Sequence, residues 1–329
     1  MKILYAGSPD ISARVLMDMQ KIFQESGRHE IVGVLTNPPS TKGRHHDLVP
    51  TDTGAAAAEL GIPVLTPDHL DAAAREQTAA LKPDILVCFA YGKIFGPKFM
   101  SLFKEGGINF HPSLLPLYRG CAPAQAAILN REPFTGLTVQ RLAQGMDEGD
   151  ILVQEKLELT GTETAGSLLD DAAARGAELL VKALDALASG TASPVPQDGS
   201  RATYCTMLKK EDGRIDWTQD AADIDARIRA YSPWPGAFTS VGGVQLKLLK
   251  AAVYNEGAEC AAAGCAEKAA AGTVAGVDKK AGILIQTGCG VLAVSELQWQ
   301  AKKAMDFKAF LNGTKNFEGT RFDAADIQD

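Results

Sequence analysis

Short, almost uninterrupted apolar runs alternate with amphipathic stretches through the first half of the chain. The apolar runs KILYA, EIVGVLT, IPVLT, DILVCFA and GINF have the length of strands, and stretches such as SPDISARVLMDMQKIFQ and AAAREQTAALK between them have helical spacing. Continuous apolar strands separated by helices are typical of a parallel sheet that is covered on both faces. The pattern therefore predicts a doubly wound α/β domain with a mostly parallel, Rossmann-like sheet, in which ligands bind beyond the carboxyl ends of the strands.

The pattern changes after the long amphipathic helix predicted in TAGSLLDDAAARGAELLVKALDALASG. Residues 191–206 are rich in Pro, Ser and Gly and have no period, so we interpret them as a linker after a catalytic domain of residues 1–190. Beyond them, RIDWTQ predicts a strand, the next segment predicts a helix, and four short alternating runs follow: VQLKLLKAAVY, GTVAGV, GILIQTG and GVLAVSELQ. These runs predict that residues 207–329 form a small β-barrel of the oligonucleotide-binding (OB) type. The alanine-rich stretch 260–275 is then a surface insertion between strands.

Composition and charge narrow the class of protein. The chain has 329 residues, of which 46% are hydrophobic and 22% charged, as is ordinary for a globular protein of about two domains. The first strand begins at Lys2 without an apolar leader, and no run of about 18 apolar residues follows, so we expect neither a secretory signal nor a membrane span. Six scattered cysteines predict free thiols in a reducing cytoplasm. The net charge of -7 argues against a protein that coats nucleic acid, and we expect a cytoplasmic monomer.

One segment, GGINFHPSLLPLYRGCAP, interrupts the alternation of strand and helix. Asn109 and His111 are two residues apart at the end of a predicted strand, so they project to the same side, and Pro112 prevents a helix there. A carboxamide and an imidazole on one face can stabilise the oxyanion of a tetrahedral intermediate. A carboxylate beside His111 would favour the imidazolium, and the loop GMDEGD supplies three candidates: Asp147, Glu148 and Asp150.

Each of these features also has an ordinary structural interpretation. A histidine at a strand end is often satisfied by its neighbours, an acid beside glycine is often a turn residue, and SLLP can be an apolar loop packed on the sheet. No Cys or Ser lies in a nucleophile-elbow context, so the sequence favours direct transfer between bound reactants over a covalent enzyme intermediate. Neither H-x-x-x-H nor H-E-x-x-H occurs, and no metal is expected. AGSPDIS has one glycine where a dinucleotide fingerprint needs three, which argues against an NAD site.

Taken together, these motifs resemble a known signature. Asn-x-His followed by Ser-Leu-Leu-Pro and, further along the chain, by GMDEGD is similar to the folate-dependent formyltransferase family. Five other stretches match members that formylate methionyl-tRNA, in the same order: LYAGSPDISARVL, TNPPSTKGR, AYGKI, GRIDWTQ and SPWPGAF. The resemblance covers nearly the full length. It implies 10-formyltetrahydrofolate as co-substrate, transfer of its formyl group to an amine, and charged initiator tRNA as the partner.

The resemblance also implies roles for individual residues in the catalytic domain. The catalytic residues of the family fall on Asn109, His111 and Asp147, while Asp150 is expected to hold its loop rather than to move protons. The folate contacts of the family fall on two stretches: Ser113, Leu114, Leu115 and Pro116, and Tyr91, Gly92, Lys93 and Ile94. In the second stretch we expect backbone amides, rather than side chains, to contact the pterin ring.

The predicted tRNA contacts come from two regions. A loop that reaches the acceptor stem in the family aligns with Arg44, and Lys42 adds a positive charge beside it. In this chain the next residues, His45-His46-Asp47, replace the glycine and lysine that are common there and lower the local positive charge. In the second domain, Lys247 and Lys250 on one predicted strand are candidates for phosphate contacts. Solvated lysines on a barrel surface are the ordinary alternative.

Three rival functions remain open from the sequence. An N-formyltransferase of an amino-sugar nucleotide would share the catalytic signature, although the AGSPD turn and Gly43-Arg44 favour the tRNA enzymes. A formyltetrahydrofolate-handling domain of a dehydrogenase or hydrolase would need a further part that the chain does not supply. A catalytically silent RNA-binding protein on the same scaffold would not need the intact set of Asn109, His111 and Asp147.

Overall fold

The computed structural model describes residues 1–42, 47–254 and 269–323, which form two compact units. The first unit comprises Met1–Pro123, Phe134–Glu158 and Ser167–Thr206. The second comprises Ala124–Pro133, Leu159–Gly166 and the chain from Met207 onward. Within the described ranges, no helix has both the length and the apolar character needed to cross a membrane.

Up to residue 206 the described residues form eleven strands and six α-helices. In chain order they are β1 (Lys2–Ala6), α1 (Asp10–Ser26), β2 (Glu30–Leu35), β3 (Ser40–Lys42), β4 (Asp47–Val49), α2 (Asp52–Glu59), β5 (Val64–Leu65), α3 (Ala72–Ala80), β6 (Ile85–Cys88), α4 (Pro97–Met100), β7 (Gly107–His111), β8 (Arg119–Gly120), α5 (Pro123–Leu129), β9 (Phe134–Arg141), β10 (Ile151–Glu158), α6 (Ala165–Ala188) and β11 (Tyr204–Cys205).

A seven-stranded sheet in the order β10-β9-β7-β6-β1-β2-β5 forms the centre of the first unit. The five strands from β7 to β5 are parallel, whereas β9 runs antiparallel to β7 and β10 antiparallel to β9. The α/β fold class predicted from the apolar runs is therefore confirmed. Because β1, β2, β6 and β7 are parallel, their carboxyl ends lie at one edge of the sheet, and Asn109 and His111 are at that edge.

The central strands β1, β6 and β7 are buried on both faces, which explains their continuous apolar sequence. In β1, Ile3 and Tyr5 pack into one apolar cluster while Leu4 and Ala6 pack into another, as the period of two residues in a strand requires. Side chains from α1 and α6 complete the first cluster, and side chains around α4 contribute to the second. The sheet is therefore a rigid platform for the loops at its edge.

From residue 207 the described chain forms six strands and two helices. They are α7 (Ala221–Ala230), β12 (Phe238–Val241), β13 (Val244–Val253), β14 (Val274–Asp278), β15 (Gly282–Gln286), β16 (Val291–Trp299), β17 (Met305–Asp306) and α8 (Phe307–Gly313). The antiparallel order β12-β13-β16-β15-β14, with β17 paired to β16, forms a curled half-barrel around its own apolar core. The expectation of a small β-barrel-like second domain is confirmed.

The strand predicted in RIDWTQ is not formed, and that prediction was wrong. Arg214 makes a single bridge to Phe238, after which the chain turns. The carboxylate of Asp216 accepts hydrogen bonds from both the backbone N and the hydroxyl of Thr218, at 3.0 and 2.7 Å. An Asp side chain that bonds the backbone two residues later stabilises a turn in place of a strand ladder.

Residues 191–206, interpreted from the sequence as a linker, are bonded to the first unit along their length. Val195 and Ile151 exchange two backbone hydrogen bonds of 2.8 and 2.9 Å. At the other end, β11 pairs in parallel with β8. Of the alanine-rich stretch 260–275, residues 260–268 are outside the described part of the chain, and residues 274 and 275 belong to β14.

Candidate active site

The structure brings Asn109, His111 and Asp147 together at the carboxyl end of β7. The first two side chains lie on one side of the strand, and Asp147 comes from the loop between β9 and β10. Asn109 Nδ2 donates a hydrogen bond to Asp147 Oδ1 at 3.3 Å, and His111 Nδ1 lies 3.7 Å from Asp147 Oδ2. A carboxamide, an imidazole and a carboxylate therefore face one another. The spacing of Asn109 and His111 predicts their shared side, and Asp147 is the acid that the family resemblance implies.

The carboxylate of Asp147 is held by two further donors. Gln140 Nε2 donates to its Oδ1 at 2.7 Å, and the backbone N of Gly120 donates to its Oδ2 at 2.9 Å. Three N–H groups around one partly buried carboxylate stabilise its negative charge. Sequence analysis missed Gln140 and Gly120. The available signal for Gln140 was its position at the end of the predicted strand LTVQRL, shortly before the acidic loop.

The ring of His111 is oriented by a backbone carbonyl. Its Nε2 lies 2.9 Å from the carbonyl oxygen of Tyr118, and His111 is buried. Because a carbonyl can only accept, Nε2 carries a hydrogen and donates it, which leaves Nδ1 facing Asp147. The distance of 3.7 Å between Nδ1 and the carboxylate is too long for a direct hydrogen bond. Nδ1 is therefore the ring nitrogen placed to exchange a proton with a reactant.

Close backbone contacts shape the two loops that meet here. Gly120 has a φ of 114°, and a Cβ at this position would lie 2.1 Å from the carbonyl oxygen of Cys205. A Cβ at Gly149 would lie 1.8 Å from the carbonyl oxygen of Arg141. Asp147 itself lies in the left-handed region with a φ of 54°, which Asp adopts more readily than most residues. The positions of both loops thus depend on residues without side chains.

The segment Ser113–Pro116 is held in place by β9 and β10. Thr138 Oγ1 donates to the carbonyl oxygen of Ser113 at 2.7 Å, and Gln154 Nε2 donates to that of Leu115 at 3.0 Å. The hydroxyl of Ser113 donates to the carbonyl oxygen of Leu117. Ser113 and Leu115 are buried, while Leu114 and Pro116 are half-buried. The segment is therefore an ordered wall beside His111, and its contact with folate stays a prediction.

The segment Tyr91–Ile94 follows β6 at the same edge of the sheet. The Tyr91 ring is buried and stacks on Phe95 with centroids 5.4 Å apart, and burial raises the pKa of Tyr91 to about 12. Lys93 Nζ donates to the carbonyl oxygens of Pro67 and Asp68, at 2.8 and 2.9 Å. Both side chains make contacts within the protein. The backbone of this segment and the exposed side chain of Ile94 are therefore the groups that can contact a ligand.

The predicted tRNA contacts are only partly within the described residues. Arg44 lies outside them, as does the side chain of Lys42, the last residue of β3. In β13, a bulge after Leu248 places Lys247 opposite Gln298 and Lys250 opposite Glu296. Because residues 296 and 298 share one face of β16, both lysines lie on the same, outward face of the second unit.

Two thiols near the site are held in their neutral form. Burial raises the pKa of Cys88, next to Asn109 in the sheet, to about 12. Burial also raises the pKa of Cys205, whose Sγ accepts a hydrogen bond from the backbone N of Ala122. Neither is a thiolate at neutral pH, so neither is a nucleophile there. Within the described residues, no three His, Cys, Asp or Glu side chains are grouped to hold a metal ion.

Two family models match the chain. The family model described as formyl transferase matches residues 1–184, and the model described as formyl transferase, C-terminal domain, matches residues 207–315. The chain belongs to the formyl transferase family. The family resemblance of the sequence motifs is thereby confirmed. The chain is also 46% identical to the methionyl-tRNA formyltransferase of Treponema denticola over 325 residues, which is 96% of this chain and 98% of that protein.

Two solved structures of formyltransferases are similar to the structure of this chain. The N-formyltransferase of Helicobacter canadensis, in complex with folinic acid and dTDP-3-aminofucose, has a TM-score of 0.64 and is 20% identical, covering 91% of this chain and 100% of its own. The methionyl-tRNA formyltransferase of Clostridium thermocellum has a TM-score of 0.56 and is also 20% identical, covering 78% of this chain and 95% of its own. Because the two proteins are only 20% identical to this chain, the similarity of their structures shows that the fold is shared and nothing about the substrates of this chain.

Proposed function

We propose that this protein transfers the formyl group of 10-formyltetrahydrofolate to the α-amino group of methionyl-initiator tRNA, giving N-formylmethionyl-tRNA for translation initiation. The observation that carries the proposal is identity at 46% over nearly the whole chain to a protein of that activity. The grouping of Asn109, His111 and Asp147 supports it, because these side chains suit acyl transfer to an amine. We further propose that the protein is a monomer and acts in the cytoplasm.

In the proposed reaction, the α-amino nitrogen attacks the formyl carbon, and the electron pair of the C=O bond moves to the oxygen. Asn109 Nδ2 and protonated His111 Nδ1 would donate hydrogen bonds to this oxyanion. When the intermediate collapses, the bond from the formyl carbon to N10 breaks, and one proton passes overall from the amine to N10. Asp147, whose charge three N–H donors stabilise, would orient the imidazolium and assist that proton transfer.

We propose that the folate lies against Ser113–Pro116 and Tyr91–Ile94, which flank the catalytic residues at the sheet edge. The side chains of Tyr91 and Lys93 are already engaged within the protein, by stacking on Phe95 and by hydrogen bonds to backbone carbonyls. This supports a folate contact through the backbone of the second stretch. For the tRNA, we propose that Lys42 and Arg44 contact the acceptor stem. The second domain, residues 207–329, would add Lys247 and Lys250, whose shared outward face suits a phosphate backbone.

An assay with two acceptors tests the function. Purified protein is incubated with 10-formyltetrahydrofolate and either methionyl-initiator tRNA or a 4-amino sugar nucleotide, and formylated amine is measured by mass spectrometry. We expect a formylated product only with the tRNA. A formylated product only with the sugar nucleotide would show that the protein is an amino-sugar N-formyltransferase. No product with either acceptor would support a catalytically silent RNA-binding protein.

Two substitutions separate catalysis from tRNA contact. We expect His111→Ala to lower kcat by about 10²- to 10⁴-fold with the fold retained, because it removes the acid and oxyanion donor.

Arg44→Ala should raise KM for the tRNA and leave folate binding intact, as measured by fluorescence titration. An equal loss of folate and tRNA binding in Arg44→Ala would contradict the role given to that loop.

A further inference from the structure

The side chain of Gln197 joins the two loops that carry the catalytic groups. Its Nε2 donates to the carbonyl oxygens of Asp147 and Gly149, at 2.8 and 2.7 Å. Its Oε1 accepts from Nε and Nη2 of Arg119, at 3.1 and 2.9 Å. Both ends of one carboxamide are therefore used, one on the loop of Asp147 and the other on the loop that follows His111.

Arg119 connects Gln197 to the histidine. Its neighbours in the chain are Tyr118, whose carbonyl oxygen accepts from His111, and Gly120, whose backbone N donates to Asp147. Arg119 is 4% exposed, and its Nη1 also donates to the hydroxyl of Tyr204 and lies 3.5 Å from Glu148. A buried guanidinium needs its hydrogen bonds, so the acceptor on Gln197 restrains the residues on either side of Arg119.

The backbone of the same segment is fixed independently of Gln197. Val195 exchanges two hydrogen bonds with Ile151, and Thr203 accepts from the backbone N of Arg119 at 2.9 Å. The Gln197 side chain thus extends from a short anchored stretch between these two points. A side chain that bonds two loops from distant parts of the chain restrains their separation.

We infer that Gln197 is a positioning residue that sets the separation between His111 and Asp147 in the reactive geometry. This inference rests on the proposed formyl transfer. Gln197 does not touch the reactants itself. It acts on the two loops, through the carbonyl oxygens of Asp147 and Gly149 on one side and through Arg119 on the other. The segment that contains it is therefore part of the active-site framework.

Gln197→Glu and Gln197→Met test the inference. Glu has nearly the same shape and keeps an acceptor for Arg119, but it places an oxygen against two carbonyl oxygens in place of donors. Met removes all the polar contacts at similar length. We expect both variants to lower kcat by about 10²-fold with KM for 10-formyltetrahydrofolate little changed, because a displacement of about 1 Å in the catalytic geometry has that effect. Gln286→Glu is the matched control, since the buried Gln286 Nε2 also donates to two carbonyl oxygens, those of Thr287 and Gly290, in the second unit.

Hydrogen exchange supplies a readout that does not require activity. The backbone N of Gly120 donates to the Asp147 carboxylate, and that of Arg141 donates to the carbonyl oxygen of Asp150. In Gln197→Met we expect these two amides to exchange at least about tenfold faster, while the amides of β1 are unchanged.

The outcomes are distinct. Wild-type kcat and exchange in Gln197→Met would overturn the inference. Faster exchange throughout the first unit, or a rise in KM for folate at constant kcat, would also overturn it, since these indicate a general structural role or a binding role. If the wild-type protein formylates neither acceptor, the proposed function fails, and the exchange of the Gly120 and Arg141 amides still decides whether Gln197 fixes the loops.

Discussion

At the scale of single residues, the candidate site depends on backbone groups as much as on side chains. Two of the contacts that define it come from the main chain, namely the carbonyl oxygen of Tyr118 on His111 and the backbone N of Gly120 on Asp147. Gly149 allows the acidic loop to pass against the end of β9. A substitution that adds a single carbon to the loop should therefore affect turnover without changing any catalytic side chain.

Gly149→Ala tests this dependence. The new Cβ would lie 1.8 Å from the carbonyl oxygen of Arg141, so the loop must move and take Asp147 with it. We expect kcat to fall by about 10²-fold and the free energy of unfolding to fall by about 1–3 kcal/mol. Steady-state kinetics and urea unfolding measure the two effects. Gly276→Ala is the control, because nothing lies within 4 Å of its added carbon, and wild-type turnover in Gly149→Ala would contradict this account.

At the scale of elements, α6 and β1 show how the sequence pattern becomes a buried layer. Alternate residues of β1 enter different apolar clusters, and the cluster that contains Ile3 and Tyr5 is completed by α6. On α6 the buried positions include Leu180, whereas Glu178 is exposed. The helix therefore stabilises the sheet on which the catalytic loops stand.

Leu180→Ala measures this contribution. Leu180 has no exposed surface, so its truncation should leave a cavity and lower the free energy of unfolding by about 2–5 kcal/mol. Urea unfolding followed by far-ultraviolet circular dichroism gives the value. The matched variant on the same helix, Glu178→Ala, should change stability by less than about 0.5 kcal/mol. Equal effects of the two substitutions would show that α6 does not support the core as described.

The sequence predicted the long helices and strands better than the short ones. Long periodic segments such as α1, α6, β13 and β16 were predicted, because burial on one or two faces imposes a visible period. The two-residue strands β8 and β11 were missed, since they are stabilised by each other and have no period of their own. The 191–206 segment was interpreted as a linker from its composition alone. Its hydrogen bonds to the first unit depend on residues far away in the chain.

At the scale of the whole molecule, stability depends on the protonation of buried and paired groups. Burial lowers the pKa of His29, despite the opposing hydrogen bond to Asp185 at 2.9 Å. The backbone N of Lys2 lowers the pKa of Asp84. In both cases the unfolded chain binds a proton at a pH where the folded protein does not, so acid favours unfolding.

The pH dependence of unfolding tests this. As the pH falls below the ordinary histidine value of about 6.5, the free energy of unfolding should decrease, because only the unfolded chain takes up the proton of His29. A second decrease, to which Asp84 and the other carboxylates of lowered pKa contribute, should follow below about pH 4. Urea unfolding at a series of pH values measures both. We expect His29→Gln to reduce the first decrease and leave the second, and an unchanged profile in that variant would contradict the role of His29.

The sequence by itself determined the fold class and, through the family motifs, the three side chains that are grouped. The period of apolar residues is a local consequence of burial, and strand geometry places Asn109 and His111 on one side, whereas Asp147 was chosen among three acids by the resemblance. Only the tertiary structure decided the separation of 3.7 Å between His111 and Asp147 and the roles of Gln140, Gly120 and Gln197 around it. The physical reason is that these distances join loops far apart in the chain. They arise from packing and from shared hydrogen bonds that no local pattern records.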